Sequence, residues 1–174
     1  MSDNPDRPAW FARREISPFV LEDDEVKELI GKATHAVVSW VTKDNKPVSA
    51  VMLYTIIDDV ITVTSTTNRA KYHAWSRNPA ASFTIWDPES IGRQVTLRGR
   101  IEIKQDAELL SRFTEAFLTR ANGGKPPTEE GLAAEIEKFN APDRHMMQLH
   151  IEKVLSHDLH RLFQVERDGT DVWS

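Results

Sequence analysis

The residues best suited to chemistry lie at 64–71, where Thr64, Ser65, Thr66 and Thr67 run into Asn68, Arg69, Ala70 and Lys71. A strand ending in hydroxyls here enters a helix, with Asn68 expected as its cap. A helix start offers free backbone N–H groups and the positive end of the helix dipole, and Arg69 and Lys71 add charge-assisted donors. Phosphate is the natural ligand of such a constellation. An ordinary capped helix with solvated basic residues would read the same way, so the surrounding elements have to decide.

Charge supports the anion reading. Between Asn68 and Lys104 there are seven basic residues (Arg69, Lys71, Arg77, Arg93, Arg98, Arg100, Lys104) and three acids (Asp87, Glu89, Glu102), so this window carries +4 while the whole chain carries −5. A small anion fits that patch better than a polyanion, and the net negative charge argues against nucleic acid, whose binding depends on neutralising phosphates. The 174 residues contain no cysteine, which removes thiol catalysis, disulfides and Cys-ligated metals. A chain of this size buries about 68–70% of its unfolded surface and needs no staple. No apolar run reaches membrane-spanning length, and 1–10 are too charged and proline-rich for a signal peptide, so a cytoplasmic protein without a membrane partner is expected.

The elements that must position these residues follow from pattern. Residues 1–20 read as an N-terminal arm that could pack on a partner through Trp10, Phe11 and Phe19, and 21–174 as a single domain. Acids at 22–25 followed by Val26, Leu29, Ile30 and Ala33 give a short amphipathic helix. Strands are expected at 36–42, 47–57 and 60–65, joined by turns at 43–46 and Asp58-Asp59. The strand at 47–57 is apolar on both faces, which calls for cover on both sides. A helix at 68–77 ends at Asn78-Pro79, strands follow at 81–86 and 93–104, and helices are marked by Leu109, Leu110, Phe113, Phe117 and by Leu132, Ile136, Phe139. Residues 146–165 read as two further strands meeting near Ser156. Short hairpins joining the first three strands disfavour a parallel doubly wound sheet. The expected fold is mainly β with α, a barrel of six or seven mostly antiparallel strands with peripheral helices.

This order of strands, the Thr-rich turn with Arg69 and Lys71, Arg77-Asn78-Pro79, and then Arg93-Gln94-Val95-Thr96-Leu97-Arg98-Gly99 resembles the pyridoxamine 5'-phosphate oxidase-like FMN-binding split-barrel superfamily. The resemblance covers 34–104 and, more loosely, 146–165. It implies a homodimer with a flavin or deazaflavin in the groove between two barrels. Val51, Met52 and Leu53 match its ring-contacting strand, Val63, Thr64 and Ser65 the end of the next strand, and Asn68, Arg69 and Lys71 its phosphate pocket. Gln94 matches a glutamine that reaches the ring, in the partner's site as the resemblance has it.

Two departures separate the chain from true pyridoxamine-phosphate oxidases. Ala50 stands where they carry an arginine, and the end of the chain lacks their Arg-rich segment. Ala70-Lys71 and Arg77-Asn78-Pro79 look more like the branch of reductases that use the deazaflavin coenzyme F-420. The implied function is an oxidoreductase in which FMN or coenzyme F-420 passes hydride to a small conjugated substrate. The alternative is a flavin, deazaflavin or haem carrier without turnover. Of the six histidines, His145 and His150 have opposite strand parity, as do His157 and His160, so no metal site is expected. Tyr54 and His73 could donate a proton near the ring, although a barrel tyrosine and a surface histidine are the plainer readings, and Trp75 and Trp86 could line a substrate pocket.

Overall fold

A computed structural model describes residues 19–169; the expected arm, apart from Phe19 and Val20, lies outside the described residues. Seven strands form one antiparallel sheet: β1 His35–Val41, β2 Pro47–Leu53, β3 Thr55–Ile57, β4 Val60–Thr66, β5 Ala80–Asp87, β6 Ser90–Lys104 and β7 Arg144–Asp158. Five helices accompany them: α1 Asp23–Lys32, α2 Ala70–Arg77, α3 Ala107–Ala121, α4 Glu129–Phe139 and α5 Leu159–Gly169. The strand order is β2-β1-β5-β6-β7-β4-β3.

The two ends of that order, β2 and β3, are contiguous in the chain, and this curls the sheet into a split barrel. The segment expected as one strand at 47–57 breaks at Tyr54 and changes partner there, from β1 to β4. Tyr54 is fully buried; its N–H donates to the Thr34 carbonyl at 3.2 Å and its hydroxyl to the Ile30 carbonyl at 2.7 Å. A residue that must bury an aromatic ring and satisfy its O–H fixes the corner. The next corner is a two-residue hairpin in which Asp58 and Asp59 both have positive φ, 51° and 62°, the geometry that matches strand twist.

The cover expected on both faces of β2 is not supplied by the described residues of a single chain. The strand lies at a sheet edge, none of its residues is fully buried, and Val51 is 62% exposed. The end of the chain also differs from the expectation of two strands: β7 is one 15-residue strand followed by a helix. Asp158 accepts from the N–H groups of His160 and Arg161 at 3.0 and 3.3 Å, and this cap starts α5. In the middle of β6, Gly99 lies at a register shift where an added Cβ would fall 2.0 Å from the His150 carbonyl oxygen, so only glycine fits.

The barrel interior holds the main core, including Val38, Val63, Trp75, Phe83, Leu97 and Met147. A second cluster of Ile57, Leu109, Leu110, Phe113 and Met146 seats α3 on the outside of the sheet.

Candidate cofactor site

The β4–α2 connection starts from strand parity. Val63 and Ser65 face inward and are buried, so a ligand outside the barrel meets their backbone only. Thr64 faces outward, where its hydroxyl donates to the His145 carbonyl at 3.1 Å and accepts from Arg144 Nη1 at 3.4 Å. The turn is pinned to the start of β7: Thr67 N–H donates to the Asp143 carbonyl at 3.1 Å, and its hydroxyl to the Asp143 carboxylate at 3.3 Å.

Asn68 is not the helix cap. Its side-chain oxygen accepts from the Thr66 hydroxyl at 2.6 Å, and α2 begins one residue later, with Arg69 in the cap position and no side-chain cap bond. The first turn of α2 therefore carries no carboxylate of its own. Arg69 is exposed and Lys71 half-buried. Burial, and secondarily the Arg69 charge, holds the Lys71 ammonium below the usual lysine range. Among the described residues neither has a carboxylate within ion-pair distance. That donor set suits an anion.

Next to this turn is a cavity of about 270 Å³ lined by Met52, Leu53, Thr64, Phe113, Phe117 and Phe139. It brings together the end of the expected ring strand, the end of β4 and three phenylalanines from α3 and α4. Phe117 and Phe139 meet edge to face at 6.1 Å, and the Arg144 guanidinium lies 5.0 Å from the Phe139 ring centre. An apolar cavity at the end of a strand that leads into unpaired cations suits a flat aromatic body with a charged end. The cavity thus joins Met52, Leu53 and Thr64; Arg69 and Lys71 follow Thr64 along the chain, on the turn and first turn of α2, and Val51 at the open edge stays largely exposed.

Gln94 does not belong to that neighbourhood. Thr64 is opposite Met146 and Met146 opposite Lys104, whereas Gln94 sits ten residues further along β6, opposite His157. At about 3.3 Å per residue this is roughly 30 Å along the strand.

The plainer readings of the two proton-donor candidates hold. Tyr54 is committed to the Ile30 carbonyl, and burial pushes its phenol up to about 12; His73 is on the exposed face of α2. Trp75, 1% exposed, contributes to the wall of a separate groove of about 480 Å³ beneath α2. Another cavity, about 660 Å³ between β3 and α3, contains none of the expected residues. Its cations are spoken for, Arg112 by Asp58 and Arg120 by the carbonyls of Ile30, Ala33 and Tyr54. Among the described residues no three His, Asp or Glu side chains gather as a metal site, and no helix is long and apolar enough to cross a membrane.

Sequence reasoning missed Arg144 and the role of the three phenylalanines. The phenylalanines carry an ordinary helical stripe, and whether that stripe faces core or cavity depends on where α3 and α4 dock. Arg144 is the first residue of β7, two residues ahead of the strand start expected at 146, where periodicity carries no signal.

Residues 22–158 match the family model described as pyridoxamine 5'-phosphate oxidase. The chain belongs to that family. A comparison with curated proteins finds none that matches. Among solved structures, a conserved hypothetical protein from Mycobacterium tuberculosis is similar at 22% identity and a TM-score of 0.75, covering 87% of this chain and 93% of its own. An F-420 reductase is similar at 24% identity and a TM-score of 0.54, covering 74% and 94%. A heme storage protein from Vibrio cholerae is similar at 14% identity and a TM-score of 0.58, covering 78% and 94%. These likenesses bear out the split-barrel fold of the family. One of these similar structures is a reductase and another a heme storage protein, so the fold does not decide the function and the site itself must carry the argument.

Proposed function

We propose that the chain binds a flavin-type cofactor, coenzyme F-420 or FMN, and acts as an oxidoreductase on a small conjugated substrate. The observation that carries this reading is the phenylalanine-lined cavity at Met52, Leu53 and Thr64, whose strand β4 leads through a short turn into the helix start that bears Arg69 and Lys71. Arg69 and Lys71 would hold the cofactor's phosphate, with the backbone of 63–65 and the side chains of Met52 and Leu53 along its ring. When bound, the cofactor supplies two-electron chemistry. The protein supplies a fixed pose, which hydride transfer needs because reacting atoms must approach to about 3–3.5 Å. A structurally similar F-420 reductase supports the deazaflavin over FMN.

The working unit in this reading is a homodimer. The exposed edge at Val51, and Ile151, Val154 and Leu155 exposed on β7, are surfaces that a second copy would cover. Gln94, too distant to serve its own chain's cavity, would then reach the partner's.

Ala50 on the ring strand leaves the site without the arginine expected of a B6 oxidase, so pyridoxamine phosphate is not the proposed substrate. The experiment is to supply reduced F-420, or reduced FMN, with a panel of electron-poor conjugated acceptors and follow cofactor oxidation by absorbance. Pyridoxal phosphate and hydrogen peroxide formed from pyridoxamine phosphate would overturn the substrate assignment. A carrier without turnover is the second reading; its support is that the cavity wall offers Thr64 as its only protic side chain. Tight cofactor binding with no acceptor reduced would favour it.

A further inference from the structure

Most of the chain's enclosed cations are paired. Arg93 faces Glu25, Asp87 and Asp158 at 3.4–3.7 Å, and Lys32 bridges Asp87 and Glu89 at 3.1 and 3.0 Å. Arg161 adds Glu25 and Asp158, and Arg120 is satisfied by several carbonyls. Arg144 breaks this pattern. It is half-buried, and no carboxylate lies within ion-pair distance among the described residues. The neighbouring Asp143 is turned to Thr67 instead. Nε of Arg144 donates to the Phe139 carbonyl at the end of α4, and Nη1 makes a long 3.4 Å contact to the neutral Thr64 hydroxyl. Among the described residues Nη2 has no protein acceptor, and Nη1 has only that long contact.

Its position explains what that edge could meet. Arg144 stands directly opposite Thr66 on the β4–β7 ladder, and Arg69 N–H donates to the Thr66 carbonyl at 3.2 Å, so Arg144 and Arg69 flank the same turn. Burial holds the Arg144 guanidinium below the usual arginine range, with Asp143 opposing the effect. An enclosed cation without a counter-ion is unfavourable unless an anion arrives. A planar fork with a free edge suits an oxyanion presenting two oxygens.

We infer that Arg144 is a third cation of the phosphate anchor, gripping the phosphate from the β7 side while Arg69 and Lys71 hold it from α2. This rests on the cofactor reading above and adds to it a residue from a different part of the chain.

The test compares ligands with and without phosphate on Arg144→Gln, Arg144→Lys and the wild-type protein: FMN against riboflavin, and coenzyme F-420 against its phosphate-free ring alcohol. Loss of one charged hydrogen bond should weaken the phosphate-bearing ligand by about tenfold or more. The phosphate-free ligand should bind Arg144→Gln as it binds wild type, and Arg144→Lys should recover part of the loss. If Arg144 only fastens α4 through Phe139, both members of a pair weaken together, or neither does, and the inference is overturned. Should no tricyclic ligand bind the wild-type protein, the cofactor reading fails while this inference stays testable with inorganic pyrophosphate. Thermal protection of wild type but not of Arg144→Gln would support it, and equal or absent protection would overturn it.

Discussion

Arg144 stands directly opposite Thr66 across the β4–β7 ladder, so a residue from the far end of the chain borders the turn that carries Arg69 and Lys71. The anion site is therefore built by strand pairing as well as by a local motif. Replacing Arg69 and Lys71 together with alanine should weaken FMN or F-420 binding by tenfold or more, since charged hydrogen bonds contribute about 1.5–3 kcal/mol each. Fluorescence titration of the double variant measures this. Unchanged curves would remove the phosphate anchor from α2.

Composite sites make a prediction about mixed dimers. If Gln94 serves the partner's cavity, a heterodimer of an Arg69→Ala/Lys71→Ala chain and a Gln94→Ala chain has one site with both defects and one intact. Subunit exchange in an equal mixture of the two weak-binding homodimers should then restore tight binding to one site of each heterodimer, about a quarter of all sites, by the two-fold symmetry. No recovery, or light scattering that shows a cofactor-loaded monomer, would contradict the shared site.

Tyr54 should matter for folding and not for the cofactor. Tyr54→Phe removes the bond to the Ile30 carbonyl, to which Arg120 still donates, and should cost about 0.5–1.5 kcal/mol, with cofactor affinity unchanged. The phenol, raised to about 12 when folded, keeps its proton over a range in which the unfolded chain releases it. Wild-type stability should therefore fall between about pH 10 and 12, and Tyr54→Phe should lack that component. Chemical denaturation at several alkaline pH values reads both effects.

The cluster joining Lys32, Asp87 and Arg93 should fail in acid. Asp87 is buried, and the Glu89 backbone N–H, with Lys32 and Arg93, holds its carboxyl below the usual range. A carboxyl with a lowered folded value contributes stability above the ordinary carboxylate range and loses it as pH falls through the folded value. Asp87→Asn should therefore lower the melting temperature near neutrality, and the gap from wild type should close as pH drops below about 4, where the unfolded carboxyl is protonated. A constant gap would show that the charge is not what Asp87 contributes.

Much of this architecture was legible in the sequence because it depends on local chemistry. The Asp58-Asp59 hairpin, the β-branched strands around it and the helix stop at Asn78 were readable, and so was the basic turn. Three features were not. The corner at Tyr54 depends on an acceptor at Ile30 and on a change of partner strand from β1 to β4, neither of which leaves a periodic trace. The helix after β7 did have a local signal, Asp158 as a cap, but the alternation of the preceding residues outweighed it. Arg144 required knowing that β7 pairs with β4, a fact of topology. The displacement of the helix start from Asn68 to Arg69 is smaller: the Thr66 hydroxyl competes for the Asn68 side chain and wins.

The most direct test is an equilibrium titration of the purified protein with FMN and with coenzyme F-420, followed by the visible spectrum of each. The account predicts that one of the two binds saturably at one per chain, with its absorption band displaced by the apolar wall of Phe113, Phe117 and Phe139. It is contradicted if neither spectrum changes while the protein remains folded.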